Sequence, residues 1–295
     1  MALLEKLQDI KIIKDEIKNS IENKGVDTTN AAFADYPELI ESIQSGGGSE
    51  DWRFSGVTYL FDYLDNYDNT LAFDEIIKHF PEQPTSLKYT FRSNFSDPWI
   101  TNEQFKKITE LDLTQCKALN YAFQGLGFEL YGKYDLYLPN CTDMSSAFYM
   151  WKSNRSGYTN PNGQVSLDFH GTTGKVAMFS SCFGSNGSSY LSNFGEILNI
   201  NMDSCINCSS IVTYSNVTRF TFAGSLGSLS TSSSLTLDLS STKMDYVGVL
   251  ETFNTISENT SEKTRTIRVK SQIYDVLTED DFAIATNKGY TITSS

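Results

Sequence analysis

The sequence predicts an α/β repeat solenoid, an irregular array of short strands stacked coil upon coil, preceded by an amphipathic N-terminal helical segment. Two spacings and one stripe predict it. Ile108-Thr-Glu-Leu111-Asp-Leu113-Thr-Gln-Cys116 places its apolar residues as L-x-x-L-x-L-x-x-C, the spacing of one coil in a stacked repeat. Ile197, Ile200, Met202 and Cys205 repeat the whole spacing, and Leu136, Leu138 and Cys141 repeat its core. The stripe is Leu3, Leu4, Leu7, Ile10, Ile13, Ile17 and Ile21, on one face of a helix.

In such a coil the alternating pair, here Leu111 and Leu113, points inward from a short strand, and the Cys three positions later turns the chain inside the stack. Ala118-Leu119-Asn-Tyr-Ala-Phe123 after the first Cys matches Asp143-Met144-Ser-Ser-Ala-Phe148 after the second. Leu167-Asp-Phe169 leads to Val176-Ala-Met-Phe179, with Thr172 at the position of the Cys. Phe220-Thr-Phe222, Leu237-Asp-Leu239 and Ile267-Arg-Val269 keep the strand pair without the Cys. Successive strands lie roughly 17 to 33 residues apart, which brackets the usual repeat of about 20 to 29 and implies inserted loops.

Taken in order, residues 1–45 form a helical anchor and oligomerisation segment. Its first helix stops at Asn23-Lys24-Gly25, where Gly serves as a C-terminal cap, and a second begins near Pro37 to bury Leu39, Ile40 and Ile43. So small a unit has little core of its own, so Leu7, Ile10, Ile13 and Ile17 either fold back on the body or meet copies of the chain or another protein. Ser45-Gly46-Gly47-Gly48-Ser49 gives a flexible linker over 46–50. Residues 51–107 read as a capping region, with strands at Val57–Phe61 and Leu87–Phe91 around a helix at Leu71–Phe80. Asp62, Asp65 and Asp68 fall at every third position, whereas an EF-hand needs every second, so a solvated loop is expected there. Residues 108–295 form the repeat array, closed by a helix with Thr278 as its cap, acids in its first turn and Gly289 past its end.

The middle repeats carry long polar insertions, 151–163 and 184–190, and insertions of this kind gather at coil edges where binding occurs. Trp151, Tyr158 and Tyr190 offer broad amphipathic faces that could stack on sugar rings; the alternative is that they pack beneath their own loops.

The chain has 295 residues, with 39% hydrophobic and 13% aromatic, ample for a folded core. A formal charge of −13 argues against nucleic acid as a direct partner, since phosphate binding uses clustered Lys and Arg. Three of the five Cys fall at the inward repeat position, where a buried reduced thiol is expected. Cys205-Ile-Asn-Cys208 has the C-x-x-C spacing of a redox pair or half a metal site, but no second C-x-x-C accompanies it and core packing is the expected role. No cofactor or metal is expected. The start Met-Ala-Leu-Leu-Glu lacks a cleavable-signal pattern, and no run reaches the roughly 18 apolar residues of a membrane span. G-x-S-x-G, H-E-x-x-H and P-loop patterns are absent and there are two His, poor material for an enzyme.

The repeat pattern resembles the BspA-like leucine-rich repeats of bacterial and phage surface proteins, and Ala283-Ile-Ala-Thr-Asn-Lys-Gly-Tyr290-Thr-Ile292 is similar to a segment that closes such arrays. Residues 1–45, with Lys24-Gly25-Val-Asp, Phe33-Ala-Asp-Tyr36-Pro37 and Ile40-Glu-Ser-Ile43, resemble the helical start of phage fibre and tail proteins. Together these resemblances imply a non-enzymatic virion protein, a head or tail fibre made in the host cytoplasm. They imply a homo-oligomer, a trimer by analogy, attached to another virion protein through its first segment and facing a host-surface glycan or glycoprotein. The alternative they leave is a bacterial cell-surface adhesin of the same repeat family; a glycan-active enzyme is a more distant third.

Overall fold

The computed structural model describes residues 83–88, 90–91, 101–125, 130–151, 163–187 and 191–295, together with Lys18. The Leu7, Ile10, Ile13, Ile17 stripe, the linker at 46–50, the Val57–Phe61 strand, the Leu71–Phe80 helix, the Asp62–Asp68 loop, and Tyr158 and Tyr190 all lie outside the described residues.

The described residues form a mixed α/β body with two open parallel sheets. The first sheet joins β1 (Gly132–Asp135), β2 (Val165–Asp168), β3 (Phe194–Met202) and β4 (Arg219–Leu226) in chain order. Period-2 alternation turns one set of side chains inward, and the register lines up Tyr134, Leu167, Ile197 and Phe220 across all four strands. All four are buried. The second sheet joins β5 (Ser234–Asp238), β6 (Thr264–Val269) and β7 (Thr291–Ser294), with Leu237, Ile267 and Ile292 in register. Each strand pair expected from Leu167 onward lies on or at the end of one of these strands.

The first copy of the spacing is not a strand. A helix, α1 (Asn102–Thr109), runs through Ile108, and Leu113–Gln115 is a single 3-10 turn. Thr101 and Gln104 close a capping box that starts the helix, and the Asp112 carboxylate accepts from the Thr114 N–H, a local bond that competes with a strand ladder. Leu87–Phe91 is likewise not a strand. It is the first described member of a column of turns, in which Leu119–Phe123, Met144–Phe148, Phe179–Phe183 and Cys208–Val212 follow.

In this column Leu87 donates to the Ala118 carbonyl, Leu119 to Asp143, Met144 to Met178 and Phe179 to Asn207. The next apolar residue of the motif repeats the pattern: Phe91 donates to Ala122, Phe123 to Ala147, Phe148 to Cys182 and Phe183 to Ile211. Phe91, Phe123, Phe148 and Phe183 stack with centroids 5.6, 5.2 and 5.6 Å apart. Between them Tyr121, Ser146, Ser181 and Ser210 all take left-handed backbone, φ 58°, 54°, 53° and 56°. The hydrogen-bond pattern sets Val176, not Thr172, level with Cys116, Cys141 and Cys205, since the residues that follow them form one ladder: Thr142 donates to the Lys117 carbonyl, Ala177 to Thr142 and Ile206 to Ala177. Thr172 turns aside to donate to Phe169 and accept from the Leu138 N–H.

Helix α2 (Tyr246–Thr255) covers the open edge of β4. Thr252 donates to the Phe220 carbonyl at 2.8 Å, and Thr255 accepts from the Phe222 N–H at 3.1 Å. The approach is close enough that a Cβ on Gly248 would lie 2.2 Å from the Thr218 carbonyl oxygen. After a single helical turn, α3 (Ser271–Tyr274), α4 (Glu279–Thr286) carries the expected Thr278 cap as a capping box with Asp281. The closing Lys288 then donates to the carbonyls of Phe253, Asn254 and Ile256, each at 2.8 Å, at the end of α2. All five cysteines are buried and unpaired. Among the described residues no helix is long and apolar enough to cross a membrane.

Candidate functional site: the outer face of the first sheet

The residues that alternate with the core on β1 and just beyond it, Lys133, Asp135 and Tyr137, face outward, and the neighbouring strands place polar groups beside them. Asp168, at the end of β2, is the centre. Its carboxylate lies 3.0 Å from Lys133 Nζ and accepts from Asn199 Nδ2 at 2.8 Å and from the His170 N–H at 3.1 Å. Asn199 reaches it because β3 shifts register between Ile197 and Ile200, with Asn199 left-handed at φ 52°. Burial pushes the Asp168 carboxyl up, but Asn199, Lys133 and the His170 N–H outweigh it and hold it below its ordinary value.

His170, itself left-handed at φ 49°, places Nε2 2.8 Å from Asp135 Oδ1 and stacks on Tyr137 at 4.7 Å with the rings 1° from parallel. Tyr137 is 51% exposed. Towards β4 the face continues as an ionic chain. Ser166 donates to Glu196 at 2.8 Å, Arg219 Nη1 to Glu196 at 2.7 Å, and Arg219 forks onto Glu251 of α2, its Nε at 2.8 Å. Glu251 and Glu196 raise the Arg219 guanidinium, and Arg219 in turn holds Glu251 below the usual carboxylate range.

Asp135, Asp168 and His170 bring ligand atoms within 4.8 Å of one another, the spacing of a metal triad. The Asp168 carboxylate is engaged by Lys133 and Asn199, and Asp135 Oδ1 lies against His170 Nε2, so the three side chains belong to one polar network. What the face offers a ligand is flat: an exposed aromatic plane, carboxylates and an amine at fixed positions.

Trp151, expected as a ligand contact, is fully buried and belongs to the core. Its indole N–H donates to the Phe123 carbonyl, and its ring stacks on Phe194 at 4.9 Å and meets Phe105 edge-on at 5.0 Å. It closes the space between α1 and the first sheet, which is the packing alternative and not the sugar-facing one. Nothing in the sequence singles out Tyr137 or His170. They become neighbours only when β1 and β2 are set in register, and the one signal is the outward alternation Lys133, Asp135, Tyr137. No family model matches the chain, and no curated protein or solved structure matches it either.

Proposed function

We propose that the chain is a non-enzymatic bacteriophage virion protein, a head or tail fibre component, whose described part is a leucine-rich-repeat solenoid displaying a flat polar face for host-surface attachment or virion decoration. The observation that carries the reading is the Tyr137–His170 stack, an aromatic plane half open to solvent and set in a fixed frame of charged groups. A sugar ring stacks on such a plane while its hydroxyls meet Asp135 and Lys133, so a host-surface glycan or glycoprotein is the ligand class. The repeat reading is supported by the turn column, where equivalent residues donate to equivalent carbonyls from Leu87 to Phe179.

The virion placement rests on the resemblance of residues 1–45 to fibre starts, which also supplies the oligomer: Leu7, Ile10, Ile13 and Ile17 hold several chains together, three by analogy, and fix them to another virion protein. A single exposed stack binds weakly, and several chains raise the affinity through effective concentration. The test has two arms. Intact particles purified from an infected host should contain this chain, and a cell-wall fraction of uninfected bacteria carrying it would favour the adhesin reading. Tyr137→Ala should then reduce binding of the protein to host cells; unchanged binding would remove the sheet face from the proposal.

A further inference from the structure

The first two strands set a pair of carboxylates side by side. Asp135 ends β1, Asp168 ends β2, and the parallel register makes them direct partners, so like charges stand opposite one another on neighbouring strands, an arrangement that costs stability unless a cation meets it. His170, two residues beyond β2, enters the same space. One ligand atom from each of Asp135, Asp168 and His170 lies within 4.8 Å of the other two, and among the described residues no other three His, Cys, Asp or Glu side chains converge in this way.

The cation that meets the pair is an exchangeable one. Asp168 Oδ1 is held from within the fold, by Asn199 Nδ2 at 2.8 Å and the His170 N–H at 3.1 Å. Oδ2 meets only Lys133 among the described residues, with Nζ at 3.0 Å. The Lys133 side chain is half exposed, and a lysine ammonium is a point charge on a flexible stem that water accepts readily. Two carboxylates against one ammonium also leave the group one negative charge in excess. His170 is placed to serve as a ligand through Nε2, which lies 2.8 Å from Asp135 Oδ1, while Nδ1 faces Asp168 Oδ1 at 3.7 Å. A proton kept on Nδ1 frees the Nε2 lone pair and turns the other nitrogen to a carboxylate, the usual support of a metal-bound histidine. The Tyr137 ring, stacked on the imidazole at 4.7 Å, holds its plane.

We propose that Asp135, Asp168 and His170 bind one divalent transition-metal ion of the zinc class, which displaces the Lys133 ammonium. The imidazole selects zinc, cobalt or nickel over calcium and magnesium, which prefer oxygen alone, and the two carboxylates neutralise the ion. Bonds of about 2.1 Å place tetrahedral ligand atoms about 3.4 Å apart, and the partly exposed Asp135 and His170 side chains have the freedom to close to that distance. Water completes the coordination on the open side of the sheet. The site stands whether or not the same face binds a glycan.

The full chain, without a histidine tag, is stripped with a chelator and titrated with cobalt(II), followed by visible absorption, and with zinc by calorimetry. One ion should bind per chain, zinc should displace cobalt, and the near-ultraviolet charge-transfer band of a cobalt thiolate should be absent, since the ligands are nitrogen and oxygen. His170→Ala and Asp135→Asn should each weaken binding at least about tenfold. Lys133→Met should tighten it about threefold or more, because the competing positive charge is gone, and a gain of this kind cannot come from a damaged fold. His79→Ala, which alters the chain's other histidine, should change nothing. Absence of saturable binding, a thiolate band, an affinity untouched by His170→Ala, or no gain on Lys133→Met would each overturn the proposal.

Discussion

The Phe148 ring lies 5.2 Å from Phe123 with planes 19° apart, and the same ring lies 5.6 Å from Phe183 on its other side, 13° apart. Each ring sits one turn along the column, so the stack ties together turns that are distant in sequence, alongside the backbone hydrogen bonds that join them. Phe148→Ala should cost about 3–5 kcal/mol, because a fully buried ring in the middle of the column leaves a cavity its rigid neighbours fill poorly. Phe148→Leu should cost clearly less. Urea unfolding of the two variants measures both, and a cost for Phe148→Ala below that of a surface substitution would mean that the stack does not bear on stability.

The left-handed turn residue gives a second prediction that concerns backbone alone. Ser210 is exposed and has φ 56°, a region in which a side chain costs roughly 1–2 kcal/mol and a glycine nothing. Ser210→Gly should therefore hold or raise stability, the relief offset in part by the greater freedom of glycine in the unfolded chain. Ser210→Val should lower it by about 1–2 kcal/mol, because branching at Cβ worsens the crowding. The urea midpoints should fall in the order Gly, Ser, Val.

The inward cysteines Cys116, Cys141 and Cys205 were legible because an apolar residue recurs at one offset after an apolar pair, and that offset survives in the fold. The third member, Val176, was hidden. Phe169 stands seven residues before Val176, where Leu136 stands five before Cys141, and the intervening apolar position is held by Thr173, whose hydroxyl donates to the Asn201 carbonyl and accepts the Asn201 N–H. A buried polar residue satisfied by hydrogen bonds breaks the apolar pattern without breaking the structure. The Phe column was visible only as far as Phe123 and Phe148, and the Tyr137–His170 contact not at all, since a cross-strand neighbour is set by register and the insertions between strands conceal register.

Asp168 makes the fold sensitive to acid. Its carboxyl is lower in the folded chain than in the unfolded one, so the ionised form favours folding; the contribution is fully present above the unfolded value of 3.8 and is lost as the pH falls through the lower folded value. Asp168→Asn removes this titration while keeping the side chain's size. The stability difference between wild type and variant, followed by urea unfolding from pH 6 down to pH 2, should shrink as the pH falls below about 4. A difference that stays constant over that range would show that the carboxylate is not held by Lys133, Asn199 and the His170 N–H in solution.

Trp151 and Tyr137 separate packing from display. Trp151 has no exposed surface and touches Phe105, Phe148 and Phe194, so Trp151→Ala should cost about 3–5 kcal/mol and lower the thermal midpoint whatever the protein binds. Tyr137 is half exposed and its ring contact is with His170 at the surface, so Tyr137→Ala should move the midpoint little. If the sheet face carries attachment, the same substitution should weaken binding to host cells. Tyr137→Phe should bind nearly as the wild type, because stacking uses the ring and not the hydroxyl. Calorimetry for the midpoints and a pull-down on host cells for binding read the two axes independently. A large fall in midpoint for Tyr137→Ala would make that residue structural; a stable Tyr137→Ala that binds as before would place recognition elsewhere on the chain.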